Sequence, residues 1–325
     1  MTSDTGVQTH AGTRGGAIGA PKSTGRTGDR LFAGAARGSS LTVLAIVAAI
    51  AAFLVWKAIP ALQENEASFL TSEEWNPNAS PPRFGIAQLA FGTVMSSLLA
   101  MIIATPVAIG IALFISFYSP RRLASGLGYV VDLLAAVPSI VYGLWGLIFL
   151  SQHMGTIGSG LNAVFGWIPL LGGSPGKNSI FTAGVVLAIM ILPIISSISR
   201  EVFLQVPQAN VEASLALGAT RWEMIRMSVL PYGRSGMIGA SMLGLGRAMG
   251  ETIAVAMVLT FVPGINWQLL ENGGATFAAN IANSFAEATV TGRGALIASG
   301  LVLFVITLVV NMAARAVVAR RKEFV

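Results

Sequence analysis

The sequence predicts an all-α integral membrane protein with six transmembrane helices and both termini in the cytoplasm. Three observations lead there. Apolar residues make up 54% of the 325 residues and charged residues 10%, whereas a soluble domain carries about 25% charged residues. The mean hydropathy is +0.73, and the apolar residues fall in long uninterrupted runs, the transmembrane signature. The basic residues collect in alternate intervals between those runs.

The first forty residues are rich in Gly, Thr, Ser and Arg, so 1–40 reads as a disordered cytoplasmic tail. The first span follows from about Leu41 to Ala58, within the segment 41–62. No small-residue cleavage site follows promptly, so it reads as a retained helix and not as a cleaved signal peptide. The interval 63–85 is acidic and carries Pro77, Pro81 and Pro82; it is too polar to span and reads as an outer loop. The core, 86–315, holds five further spans. They run near Ile86–Phe117, Gly126–Leu150, Phe181–Ile198, Met237–Val262 and Ala295–Ala314. The second exceeds the ~20 residues a bilayer core needs. Residues 316–325 read as a cytoplasmic tail.

Fifteen of the 20 basic residues lie in the N-terminal segment, at Arg121 and Arg122, from Arg200 to Arg234, and from Arg315 onward. The positive-inside rule places these intervals in the cytoplasm. The net charge of +6 is therefore a topology signal, and a nucleic-acid partner is not expected. The chain has no cysteine, and His10 and His153 stand apart, which excludes disulfides and thiolate metal sites. No Walker lysine motif and no catalytic triad is present, so the chain is not expected to be an enzyme.

The cytoplasmic interval 199–235 is the most informative. Pro207 suits a helix start, Asn210 a possible second start, and Gly218 a break. Thr220 and Glu223 have capping-box spacing, and Pro231 is expected to end the second helix. Spacing alone leaves two readings: an amphipathic hairpin on the membrane surface, or an element that docks a partner.

Glu212-Ala213-Ser214, then Gly218-Ala219 and later Leu230-Pro231, resemble the EAA loop of ABC importer permeases, with Ser214 in place of the usual third-position alanine. Further stretches resemble the PstC-type permeases of phosphate ABC importers in particular. These are Ser68 to Pro77, Gly92 to Ser97, Thr105 to Gly110, Val137 to Gly146 and Gly246 to Thr252. The resemblance implies the type I ABC importer permease fold in a bacterial cell membrane. It also implies that Glu212, Ala213 and Gly218 belong to a coupling helix seated on an ATP-binding subunit. The implied partners are a dimer of that subunit, a PstA-type permease forming the other half of the pathway, and an extracytoplasmic phosphate-binding protein. The chain itself is expected to bind no cofactor, and ATP is used by the partner.

The residues also speak to the solute. Arg247 lies about ten residues into the fifth span, near mid-membrane, where an arginine is costly and usually faces a pathway or bundle interior. Its planar fork suits phosphate. Glu251, four residues on, is expected on the same helix face. A carboxylate beside an anion makes sense if the anion carries a proton, as phosphate does near neutral pH. The alternatives are that Arg247 and Glu251 neutralise each other, or that Arg247 pairs with Asp132. Ser139 and Tyr142, beside Pro138, could donate to a passing oxyanion or simply line a kink. A permease for another oxyanion or small solute, or a gradient-driven secondary transporter with Glu251 as proton relay, stands as the alternative function. The latter leaves the EAA loop unexplained.

Overall fold

The computed structural model describes residues 26–320. Among the described residues the regular secondary structure is helical apart from one short β-hairpin, and the chain divides into two compact units between Ala52 and Phe53.

Helix α1, Arg26–Glu64, crosses that division. It begins before the first apolar run, so residues 26–40, expected as tail, are helical; residues 1–25 lie outside the described residues. Once nucleated in an apolar run, a helix extends at little cost, and here the polar residues do not interrupt it. Ser40 Oγ donates to Ala36 O at 2.8 Å and Thr42 Oγ1 to Gly38 O at 2.9 Å, which satisfies both hydroxyls inside the helix.

In the second unit, strands β1 (Trp75–Asn76) and β2 (Arg83–Phe84) pair antiparallel, Trp75 facing Phe84. Their rings meet edge to face at 5.9 Å. Asn65 fixes the hairpin by donating to Phe84 O (2.8 Å) and accepting from Phe84 N (3.0 Å). Trp75 and Phe84 pack with Ala61, Leu89, Phe277 and Leu296, so the outer loop is part of a core and not a loose cap.

Helix α2, Ala87–Leu113, continues through a π-type turn, Phe114–Tyr118. Ala100, Ala104, Ala108 and Ala112 form a fully buried stripe on it. Small residues at a spacing of four let another helix approach closely, and α6, Ile180–Leu204, packs there with Leu187, Ile191 and Ile195 in the shared core.

The third span differs from expectation. Helix α3, Arg121–Ala135, is separate, and the membrane-length helix is α4, Ser139–Trp145, running through a π-type turn (Gly146–Leu150) into α5, Ser151–Phe165. Pro138 is the reason: it has no N–H to donate, and it disfavours helical backbone at Val137. The polar residues after Leu150 hid the true end of the helix from a reading of apolar runs.

Helix α7, Gln208–Ala216, is followed by α8, Arg221–Met224, a π-type turn (Ile225–Val229) and α9, Leu230–Met249. Pro231 therefore does not end the second helix of the loop; it sits in the first turn of α9 after the widened turn, where its missing N–H disrupts no regular bond. Asn210 is inside α7 and caps nothing. The fifth span is broken: α9 stops at Met249, and α10 covers Ile253–Val258. Helices α11, Phe277–Ser284, and α12, Val290–Arg320, complete the chain. Residues 316–320, expected as tail, are thus helical, and 321–325 lie outside the described residues.

Among the described residues five helices are long and apolar enough to cross a membrane: Gly28–Glu64, Ala87–Tyr118, Ser139–Phe165, Ile180–Leu204 and Val290–Ala313. The expected fifth span is absent from that set because its glycines and polar residues lower its hydropathy and its helix is interrupted. Segments that the charge pattern places outside meet one another. Asn78 Oδ1 accepts from Thr289 N (3.1 Å) and Oγ1 (2.9 Å), Glu73 from Ile265 N (3.0 Å), and Glu271 from Ser174 N (3.2 Å).

Candidate functional site

Two regions hold the residues singled out in the sequence. The first is the loop from Pro207 to Val229. Helix α7 starts directly after Pro207. Gly218 takes a φ of +84°, the left-handed region that glycine enters without steric cost, and this turns the chain between α7 and α8. The capping box forms in full: Thr220 N and Oγ1 each donate to Glu223 Oε2 at 2.8 Å, and Glu223 N donates to Thr220 Oγ1 at 3.3 Å.

Ser214 does more than replace an alanine. Its hydroxyl bonds that of Ser228 at 2.7 Å and also donates to Asn210 O at 2.9 Å, tying α7 to the π-type turn. Val211 packs against a cluster of Ala112, Leu113, Phe203, Met224 and Ile225, so the loop is fastened to both α2 and α6. What it leaves outside is Glu212, Ala213 and Gly218, all exposed, and an apolar surface of Leu215, Leu217, Trp222 and Met227, with Leu217 90% exposed.

The bonds from Thr220 hold the Glu223 carboxyl below the ordinary carboxylate value of 4.5. A group whose pKa is depressed by folding contributes stability above the unfolded value and loses it as pH falls through the folded one. The amide of Thr220 is therefore expected to exchange slowly with solvent at neutral pH. It should exchange faster as pH drops below 4.5, relative to neighbouring amides, and Glu223→Ala should show the fast exchange at all pH values. Slow exchange in that variant would mean that the carboxylate contributes nothing to the cap.

The second region lies where two helices break. The α3–α4 break presents Ser139 and Tyr142 on the first turn of α4. The α9–α10 break presents Arg247 in the last turn of α9 and Glu251 just beyond it. Helices α4 and α10 pack closely at Gly143, where a Cβ would sit 2.7 Å from Ala254 Cα; glycine there is a condition of the packing. The Oη of Tyr142 donates to Leu134 O at 2.9 Å. The structure thus brings Ser139, Tyr142, Arg247 and Glu251 to facing breaks.

Arg247 and Glu251 do not share a helix face, because the helix ends between them. Gly250 closes α9, and Thr252 Oγ1 donates to Gly250 O at 3.2 Å. Glu251 instead serves the next helix, its Oε1 accepting from Ala254 N at 3.2 Å. Neither ion pair considered for Arg247 forms. Among the described residues the ion pairs join Arg83 to Glu74, and Arg200 to Asp132 and Glu201. Arg247 is exposed and has no carboxylate partner among the described residues, and one carboxylate oxygen of Glu251 accepts no bond from them.

Sequence reasoning missed Arg200, which it counted only as a topology charge. Its Nη2 lies 3.4 Å from Asp132 Oδ2 and 3.2 Å from Glu201 Oε1. The one signal in the sequence was Gly128, whose missing side chain leaves room for the guanidinium, though nothing local pointed from one to the other.

The family model of the binding-protein-dependent transport system inner membrane component matches residues 104–323. The chain belongs to this family. Among curated relatives, the phosphate transport system permease protein PstC 2 of Mycobacterium tuberculosis (strain ATCC 25618 / H37Rv) is 48% identical over 300 residues, covering 90% of this chain and 92% of that protein. The phosphate transport system permease protein PstC of Xylella fastidiosa (strain Temecula1 / ATCC 700964) is 45% identical over 291 residues, 87% of this chain and 89% of that one. Among solved structures, a chain of the MetNI methionine ABC transporter in an inward-facing conformation aligns with a TM-score of 0.53 at 14% identity, covering 72% of this permease and 95% of that chain. That likeness speaks for the ABC importer permease fold. The permease is thus an inner membrane component of a transport system and not itself an enzyme.

Proposed function

We propose that this chain is the transmembrane permease subunit of an ATP-driven phosphate importer and forms half of its translocation pathway. The observation that carries the reading is near-full-length similarity, at 45–48% identity, to proteins named as phosphate transport permeases. The facing helix breaks support it independently. Discontinuous helices with a free arginine near mid-membrane are the arrangement in which transporters hold small anions.

In this reading the chain crosses the membrane six times, the broken α9–α10 being the fifth crossing, with both termini in the cytoplasm. A PstA-type permease supplies the other half of the pathway, and an extracytoplasmic phosphate-binding protein delivers the solute. A dimer of ATP-binding subunits receives Glu212, Ala213 and the apolar surface around Leu217. ATP is bound and spent there and not on this chain. Closure of the ATP-binding dimer moves α7, and the helices rock between inward- and outward-open states. Arg247 attracts the oxyanion through its planar fork, Ser139 and Tyr142 offer hydroxyls, and the uncommitted oxygen of Glu251 accepts the proton-bearing oxygen of phosphate.

The test is uptake of labelled phosphate, driven by ATP and the binding protein, into vesicles carrying the assembled complex. Absence of uptake would overturn the phosphate reading while leaving family membership intact. A second arm addresses Glu251. The Gln variant retains a carbonyl oxygen that can still accept from Ala254 N, so the helix start survives. Sulfate in excess is expected to leave wild-type uptake unchanged and to inhibit that of Glu251→Gln. Equal indifference to sulfate in both would remove the selectivity role.

A further inference from the structure

The joint between α3 and the end of α6 lies between the docking loop and the facing helix breaks, and it is built around one side chain. Arg200 stands on the last two turns of α6, seven residues before Pro207, a rise of about 10 Å. Its guanidinium fills the space that a side chain at Gly128 would need, Nη1 standing nearest to where a Cβ would be. Nη2 reaches Asp132 Oδ2 at 3.4 Å, and Asp132 Oδ1 accepts from Ser197 Oγ at 2.6 Å. Asp132 is therefore held from α6 by two groups.

Arg200 Nε is buried with no partner. Leaving a donor of a charged group unsatisfied is costly, so this is not the resting place of a solvated arginine; packing on Gly128, the bond to Asp132 and a second one from Nη2 to Glu201 Oε1 on its own helix (3.2 Å) hold it there. Two residues beyond Asp132, Leu134 O accepts the hydroxyl of Tyr142 at 2.9 Å. A continuous series of contacts therefore runs from α7 through α6 and Arg200 to α3, and from Leu134 to Tyr142.

We propose that Arg200 is a positioning residue for coupling: it locks α3 to α6, so that movement of the docking loop carries α3 and, through Leu134, the pathway residue Tyr142. This rests on the transport reading above. Arg200 touches no solute; it acts through Asp132 and α3. Gly128 is its necessary counterpart, because any side chain there displaces the guanidinium.

The test uses the assembled complex in two measurements. The chain has no cysteine, so Leu133→Cys on α3 and Leu204→Cys at the end of α6, both exposed, are the only labelling sites on it when the purified permease is spin-labelled before assembly with its partners. With Arg200 intact, the distance between the labels should be the same with and without ATP. With Arg200→Gln, ATP should shift or broaden it. This measurement needs no transported solute, so it stands if the phosphate reading fails. The second measurement is ATP hydrolysed per phosphate taken up. Arg200→Gln is expected to raise the ratio about three- to tenfold, Gly128→Ala to raise it likewise without removing a charge, and Arg200→Lys to restore most of the coupling.

Identical label distances in Arg200→Gln and its parent, or a parallel fall of ATP turnover and uptake in both loss variants, would overturn the proposal and leave the pair a structural fastening. Failure of both loss variants to assemble with the ATP-binding subunit would overturn it too, as the mark of a folding element. An absence of wild-type phosphate uptake, with the label result as expected, would count against the substrate alone.

Discussion

Arg247→Gln is expected to cut ATP-dependent phosphate uptake by about ten- to a hundredfold while the complex still assembles and captures its ATP-binding subunit. The expectation follows from where the charge sits and what it lacks. Arg247 occupies the last turn of α9, exposed, with no carboxylate partner among the described residues. An arginine near mid-membrane carries an insertion cost of about 2.5–3.5 kcal/mol, which nothing in the chain's own packing offsets. Glutamine keeps a donor and most of the length but removes the charge and the fork. A hydrogen bond to a charged group contributes about 1.5–3 kcal/mol, so the loss at the solute corresponds to roughly ten- to a hundredfold in uptake. Because no ion pair is broken, folding should survive, and thermal stability of the purified complex checks that directly. Normal uptake in the variant would remove Arg247 from the pathway and leave Tyr142 and Ser139 without the charge they are proposed to assist.

Gly218→Val is expected to act at the other end of the machine, cutting capture of the ATP-binding subunit with little effect on insertion of the permease. Gly218 holds a φ of +84° and nothing lies within 4 Å of where its Cβ would be, so the penalty is conformational and not steric crowding. A left-handed residue other than glycine costs about 1–2 kcal/mol, and a β-branched one has less freedom to relieve it. The Thr220–Glu223 cap holds α8 on one side, and Val211 together with the Ser214–Ser228 bond holds α7 on the other. With both flanks fixed, the strain must be released at the turn, which reorients Leu217 and Glu212. An energy of this size is a factor of about five to thirty. Copurification of the ATP-binding subunit reads it, and undiminished capture would show that docking does not depend on this turn.

Much of the docking loop was legible in the sequence because its determinants are local. Pro207, Gly218 and the Thr220–Glu223 pair each act over three or four residues, and each formed the structure its chemistry favours. Pro231 did not, because the preceding π-type turn had already displaced the regular bond that proline would have broken. The residues singled out near the helix breaks were legible one by one, but their arrangement was not. Treating Arg247 and Glu251 as neighbours on one helix assumed continuity through Gly250, and the helix ends there.

The composition, the apolar runs and the alternating basic intervals determined by themselves that this chain is a bundle of membrane helices. They also sorted the connecting segments into a basic set and a non-basic set, since hydropathy and charge are properties of the residues alone. Tertiary structure decided the rest. It chose where the third membrane helix starts, because Pro138 marks a break but does not say which side of it carries the long helix. It closed α4 onto α10 at Gly143, which set the two breaks face to face. It also joined Arg200 to Asp132 across 68 positions of sequence by packing the guanidinium on Gly128. A charge can choose its partner only when folding has brought candidates within a few ångströms.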